Sequence, residues 1–336
     1  MATVISIKDM QEKKQGLGED SDPILLTLNG LTVVGVLDGM GGAGGAECES
    51  DFGVHTKAYV ASRIVQKSII DFIRQNPDTV LQDGFEKQLE KVIKDRFDEE
   101  IMKYPPKSKA GLRSSLIKEY PTTLALLCIS ESKTGYIIDS FWAGDSRNYL
   151  WNSNGLFQIS KDDLKGELDP LQNIREDAPM SNCINADSGF SINHKRIEGF
   201  SIGDRFIVLS ATDGCFGYYP SPMDFEKILS DALKGAESKE VWEKRLSQAF
   251  AYVTGDDFSF SIAAFGYRDF KELKKIVGQS KKGYLSSYFH KRSAYEADIR
   301  KKIKLEEQIA QTNKQLEEDI DRIWCQYKEV YLKYFE

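Results

Sequence analysis

Four short stretches of this chain pair an apolar run with an aspartate at its end, usually beside glycine. They are residues 33–42, with Asp38 and Gly39; 141–147, with Gly144 and Asp145; 206–214, with Asp213 and Gly214; and 255–259, with Asp256 and Asp257. Gly18, Glu19 and Asp20 form a fifth acidic step ahead of the first strand pair. A carboxylate at the end of a buried strand projects where the sheet edge meets solvent, so several can converge on one cleft. Repulsion in such a cluster is costly unless a cation relieves it. Hard divalent cations take oxygen ligands of this kind, and two of them need a shared carboxylate. Glycine beside the ligand lets the backbone approach closely. One Asp-Gly step is ordinary turn chemistry; four in one acidic region constrain the chain much further.

The rest of the pattern fits a layered α+β fold. Strands are expected at 23–28 and 31–37, joined by the turn pair Asn29 and Gly30. Further strands are expected at 122–129, 136–143, 148–151, 205–210 and 258–266. Helices are expected at 46–75, at 85–102 (stopped by Pro105 and Pro106), at 223–233 and at 239–253. Residues 161–192 are polar and irregular. Strands in clusters and helices in pairs favour α+β layers over βαβ winding. The 5 cysteines are scattered and never in CxxC spacing, and the 3 histidines form no HExxH. Zinc ribbons, a disulfide framework and histidine-based metal chemistry are therefore poorly supported, and a reducing cytoplasm is the expected compartment. With no run of 18 apolar residues and no secretory signature at the start, no membrane span is expected.

Charge divides the chain. Residues 1–269 carry a net −11, 271–304 a net +8 and 305–336 a net −4. The expected organisation is a body at 1–268, a basic linker at 269–293 and an amphipathic helix at 294–336. In that helix Ile309, Leu316, Ile323 and Val330 fall seven apart, and Asn313, Ile320, Tyr327 and Tyr334 supply a second seam. It either packs back on the body or forms a coiled coil, as a homodimer or with another chain. The basic linker lacks interleaved aromatics for base stacking, so nucleic acid is not an expected partner.

Taken in order, Glu19-Asp20, Asp38-Gly39-Met40-Gly41-Gly42, Thr122-Thr123, Gly144-Asp145-Ser146-Arg147, Thr212-Asp213-Gly214 and Asp256-Asp257-Phe258-Ser259 resemble the metal-dependent protein phosphatases, the type-2C or PPM family, in its bacterial form. The resemblance covers about residues 1–267. It implies a four-layer α-β-β-α sandwich, two antiparallel sheets flanked by helix pairs, here followed by the C-terminal helix. It implies two Mn²⁺ or Mg²⁺ ions bridged by Asp38, with the Gly39 carbonyl on one of them. Asp213 and Asp256 would complete one ion, and Glu19 would reach the other through water. Asp20 would orient the bridging water, and Asp145, with Asp213, would hold a third, weaker ion. Ser146 and Arg147 would fix their turn.

Two departures stand out. Met40 stands where many members have a histidine that protonates the leaving group, and methionine cannot donate a proton. Gln15 stands where the family often has a phosphate-clamping arginine, leaving Lys13 and Lys14 as the nearby cations. The resemblance implies a serine/threonine phosphatase acting on a phosphorylated protein, set against a cognate kinase. The alternative is a weak or inactive pseudophosphatase serving as a binding platform. Residues 161–195 correspond to the family's variable flap. Its acidic side chains Asp162, Asp163, Glu167, Asp169, Glu176 and Asp177 would disfavour acidic phosphosites.

Overall fold

The computed structural model of the chain describes residues 4–105, 118–166, 169–176, 178–187, 189–278 and 283–331. Twelve strands and nine α-helices follow in the order β1 (Ile5–Gln11), β2 (Ile24–Leu28), β3 (Leu31–Val36), α1 (Gly41–Gly44), β4 (Glu47–Ser50), β5 (Gly53–Thr56), α2 (Lys57–Gln75), α3 (Phe85–Lys103), β6 (Leu124–Glu131), β7 (Gly135–Ala143), β8 (Arg147–Asn152), β9 (Gly155–Gln158), α4 (Pro170–Arg175), β10 (Asn193–Ser201), β11 (Phe206–Ala211), α5 (Asp213–Phe216), α6 (Pro222–Lys234), α7 (Lys239–Val253), β12 (Phe258–Phe265), α8 (Phe270–Val277) and α9 (Gly283–Tyr331) among the described residues.

Two five-stranded antiparallel sheets carry the body, in the orders β1-β12-β11-β8-β9 and β10-β7-β6-β3-β2. The turn between β2 and β3 is as expected: Asn29 and Gly30 both have positive φ, 44° and 87°, which suits a tight hairpin. Alternation along each strand sorts the core into layers. Val34, Leu127, Ile138, Val208 and Phe265 point between the sheets. Their neighbours Val33, Leu126 and Phe141 pack with Ile69, Leu89, Ile93 and Phe97 of α2 and α3. Leu209, Phe260 and Ile262 pack with Phe225, Leu229, Trp242, Leu246 and Phe250 of α6 and α7. The α-β-β-α sandwich is therefore present. Asn148 ties its two sheets together: its amide donates to the Leu126 and Phe141 carbonyls at 3.2 and 3.0 Å, and its oxygen accepts from Ser210 Oγ at 2.7 Å.

Several segments differ from the sequence expectation, which placed no strand at β1 or β9, the two edges of the first sheet. Residues 46–75 are not one helix. A hairpin of β4 and β5 comes first, turned by Gly53 at φ 99°, and α2 starts only at Lys57, capped by Thr56, whose hydroxyl accepts from Tyr59 N at 3.1 Å. The polar edge strand β10 was not anticipated, since its burial is too irregular to show a two-residue period. The basic stretch 269–293 is no open linker: α8 buries Leu273 and Val277 in the core of the body, and the helix that follows is already under way at Gly283.

The chain divides into two compact units, residues 1–280 and 281–336. The second is α9, a helix of 49 residues, about 70 Å long at 1.5 Å per residue. Its surface carries i,i+3 and i,i+4 ion pairs such as Arg292–Glu296 at 2.9 Å and Lys301–Asp298 at 3.1 Å. Tyr334, the last expected seam residue, lies outside the described residues. No helix among the described residues is long and apolar enough to cross a membrane.

Candidate active site

The topology brings the acidic stretches to one end of the sandwich. Asp38 follows β3, Asp213 follows β11, Asp256 and Asp257 precede β12, and Asp145 sits in the turn where the chain passes from β7 in one sheet to β8 in the other. The segment between β1 and β2 supplies Glu19 and Asp20. Burial first, then the charges of Asp20, Asp213, Asp145 and Asp256, push Asp38 well above the ordinary carboxylate range. Burial and Asp256 likewise raise Asp213, against a hydrogen bond it shares with Asp38. Burial and Asp213 push Asp145 up to about 7. Burial, with Asp213 and Asp257, pushes Asp20 up to about 8. Glu19 is raised by burial and by Asp257 and Asp256. Five carboxylates from four parts of the chain thus feel one another's charge, which is the convergence expected from the strand-end pattern.

The glycines have defined reasons. A Cβ on Gly39 would lie 2.5 Å from the Ala58 carbonyl oxygen, and one on Gly41 would lie 1.9 Å from Glu19 Oε2. Gly41 thereby leaves the space that the Glu19 carboxylate fills. Glu19 also accepts from Thr56 Oγ1 at 2.5 Å, so the unforeseen start of α2 helps hold a candidate ligand.

The threonine pair fixes Asp38 through its backbone. Thr123 N and Thr122 Oγ1 donate to the Asp38 carbonyl at 2.8 and 2.7 Å, and Asp38 N donates to Thr123 Oγ1 at 3.1 Å. Ser146 bonds Thr123 at 2.7 Å. Thr212 Oγ1 lies 3.0 Å from Asp20 Oδ2, whereas the buried Asp20 Oδ1 has no hydrogen-bond partner.

Sequence reasoning missed the part played by Asp257. Its two oxygens accept from the backbone N–H groups of Lys13 and Glu19, each at 2.7 Å. Arg63, on α2, donates to the carbonyls of Gly18 and Glu19 at 3.2 and 3.4 Å and stacks on Tyr59. These two side chains hold residues 13–19 against the body. The only sequence signal was the doubled aspartate, since the partners are backbone groups.

Arg147 makes a buried bidentate pair with Asp162, at 2.9 and 2.6 Å, and lies over the Phe216 ring. Asp163 accepts from Gly144 N, Asn182 and Asn193, and Asp169 caps α4. The expectation of an acidic flap is corrected for Asp162 and Asp163, whose carboxylates are spent on internal partners, whereas Asp169 and Glu176 are exposed. Glu167 and Asp177 lie outside the described residues. A cleft of about 390 Å³ opens beside Asp145 and Asp213 and is lined by Arg175, Glu176 and Tyr218. Arg175, in the last turn of α4, is a cation that the sequence reading did not single out. Lys13 and Lys14 are exposed and do not line this cleft. A larger cavity of about 860 Å³ lies by β4 and β5, where Lys57 and Glu119 are already paired at 2.5 Å; it holds none of the strand-end aspartates. Cys215 is buried, its thiol pushed well up by burial, and is unsuited to act as a nucleophile. His194 is held 2.8 Å from Asp139 and stacks on Phe141, which makes it structural.

Residues 18–251 match the protein phosphatase 2C family. The chain belongs to that family. Among curated proteins compared by sequence, none matches. Solved structures share the fold at low identity. The serine/threonine phosphatase PstP/Ppp of Mycobacterium tuberculosis aligns with a TM-score of 0.53 at 16% identity, over 79% of this chain and 99% of its own. Stp1 of Staphylococcus aureus aligns with a TM-score of 0.53 at 18% identity, over 79% and 95%. The PstP catalytic domain in complex with two manganese ions aligns with a TM-score of 0.52 at 16% identity, over 78% and 98%. The family's fold thus accounts for the body, and about a fifth of the chain lies outside each alignment.

Among the described residues, no three His, Cys, Asp or Glu side chains gather closely enough to hold an ion as they stand. The donor chemistry nevertheless fits a hard divalent cation. The carboxylates repel one another, Asp20 Oδ1 is buried without a partner, and glycine leaves room for Glu19.

Proposed function

We propose that this chain is a metal-dependent serine/threonine phosphoprotein phosphatase. The observation that carries the reading is the convergence of Asp20, Asp38, Asp145 and Asp213 at one end of a phosphatase 2C sandwich, each raised by burial and by charged neighbours. Asp38 and the Gly39 carbonyl, with Asp213 and Asp256, would hold two Mn²⁺ or Mg²⁺ ions. Glu19 would reach one of them through water, and Asp145 with Asp213 would take a third. When bound, such ions supply an activated water and neutralise phosphoryl oxygens.

The chain's own groups do the positioning. Asp20 would orient the water that bound ions activate, and Thr212 Oγ1 fixes its carboxylate by donating to Oδ2. Thr122 and Thr123 keep Asp38 at the end of β3. Arg175 is placed at the cleft to attract a phosphorylated segment, with Lys13 and Lys14 at a more exposed station. Met40 has no proton to give, so the leaving alkoxide would have to take its proton from another group or from water. Aryl phosphates, which need less help, should suffer less than serine phosphates. The substrate class is a phosphorylated protein, and α9 would serve oligomerisation or partner recruitment.

The carboxylate reading is tested by titrating Mn²⁺ into metal-free protein in a calorimeter. At least two sites are expected, with the tighter ones lost in an Asp38→Asn, Asp213→Asn double variant that keeps its circular dichroism. Equal binding by both proteins would remove the strand-end aspartates from the site.

A further inference from the structure

The helix α9 carries a pattern that the phosphatase body does not use. Ile309, Leu316, Ile323 and Val330 recur every seven residues and are 53%, 57%, 64% and 66% exposed; Ile320, on the adjoining seam, is 55% exposed. The interval from 313 to 316 is three residues and from 309 to 313 four. In a heptad this puts Asn313 and Ile320 at a and Ile309, Leu316, Ile323 and Val330 at d. Helical structure covers the whole frame without interruption.

We propose that α9 pairs with α9 of a second copy of this chain as a parallel, in-register, two-stranded coiled coil over residues 309–330. The proposal rests on reading α9 as an association element and is independent of the chemistry at the aspartate cluster. Asn313 selects the register and orientation of the pair. On an apolar seam, an amide facing an aliphatic side chain loses its water and gains no partner. In a parallel, in-register pair, a faces a, so each Asn313 meets its own copy, where one amide can donate and the other accept. In an antiparallel pair, a faces d, and every d residue of this frame is isoleucine, leucine or valine. Asn313 would then be buried against one of them.

The flanks agree with the parallel arrangement. There each g residue faces the e residue five positions on in the partner. Thr312 meets Glu317 and Asp319 meets Trp324, so no like charges oppose each other across the seam. Cys325 falls at f, on the outer face, so the pairing needs no disulfide.

The test is sedimentation equilibrium of the full chain at micromolar concentration, with three variants. Wild type should have twice the chain mass. Leu316→Glu combined with Ile320→Glu should sediment as a monomer. Its Tm for the body should be unchanged, which separates loss of association from loss of folding. Leu316→Cys in a Cys325→Ser background should give a disulfide-linked dimer on mild oxidation, since only a parallel in-register pair brings the two 316 positions together. Asn313→Leu should broaden the mass distribution toward higher oligomers. A monomeric wild type, a dimer that the Glu substitutions leave intact, or a dimer with no 316–316 cross-link would each overturn the proposal. Phosphate release measured on the same samples reports separately on the catalytic reading.

Discussion

Asp257 illustrates what a single residue contributes that its neighbours in sequence do not reveal. One carboxylate accepts two backbone N–H groups, from Lys13 and Glu19. Asparagine has one acceptor oxygen, so Asp257→Asn keeps at most one of these bonds without repulsion. A charge-assisted bond of this kind is worth about 1.5–3 kcal/mol, so the variant should need roughly ten- to a hundredfold more Mn²⁺ for half-maximal phosphate release. An unchanged Mn²⁺ requirement would show that residues 13–19 hold their place without it. The aspartate cluster also sets a pH dependence. Asp20 is raised from 3.8 to about 8 and Asp145 from 3.8 to about 7. Between those limits the folded chain keeps protons that the unfolded chain has released, so its stability falls as pH rises through the window. In EDTA, Tm should be lower at pH 8 than at pH 5, and Mn²⁺ should narrow the gap by replacing protons as the compensating charge. A flat Tm in EDTA would contradict the mutual repulsion. Asp38, Asp145 and Asp213 could be read from sequence because apolar runs stop at them beside glycine, and Asp256 because Gly255 precedes it and an apolar run begins just after it. Asp257 and Arg63 could not, because both act on main-chain atoms that leave no mark on the sequence.

At the scale of elements, the flap is held by its base. Arg147 starts β8, and its guanidinium grips Asp162 with both side chains nearly inaccessible, at 3% and 1% exposed. Asn173 of α4 and Gln158 of β9 bond the same carboxylate at 2.7 and 2.9 Å. Breaking a buried pair by removing one partner costs about 3–5 kcal/mol, because the other charge is left uncompensated. Arg147→Met should therefore lower stability by about that amount and loosen α4, with limited proteolysis cutting first between residues 161 and 192. Cleavage elsewhere at unchanged Tm would show that the pair does not anchor the flap. Elements with a clear period were legible: β3, α3, α7 and β12 begin and end within a residue or so of expectation. The hairpin β4–β5 was hidden because Val54 and the apolar residues of α2 continue one helical-looking pattern, and only Gly53 marks the turn. The helix α8 was hidden because its lysines dominated the charge count, while Phe270, Leu273 and Val277 recur at helical spacing on its buried side.

At the scale of the whole molecule, the order of the acidic stretches was the decisive information. It places two strand ends from each sheet beside one another only if the sheets stack, and the sandwich of β1-β12-β11-β8-β9 on β10-β7-β6-β3-β2 does so. The separate unit formed by α9 was legible as a heptad but not as a boundary, because charge changes before packing does: the basic stretch begins inside α8, which belongs to the body. The central claim is that the aspartate cluster hydrolyses phosphomonoesters with divalent ions. The most direct measurement is phosphate release from a phosphothreonine peptide, with Mn²⁺ or with EDTA, by wild type and by the Asp38→Asn, Asp213→Asn double variant. The account predicts release that requires Mn²⁺ and falls to background in the double variant. No release by folded, Mn²⁺-loaded wild type across several phosphopeptides would contradict it and leave the body a binding platform.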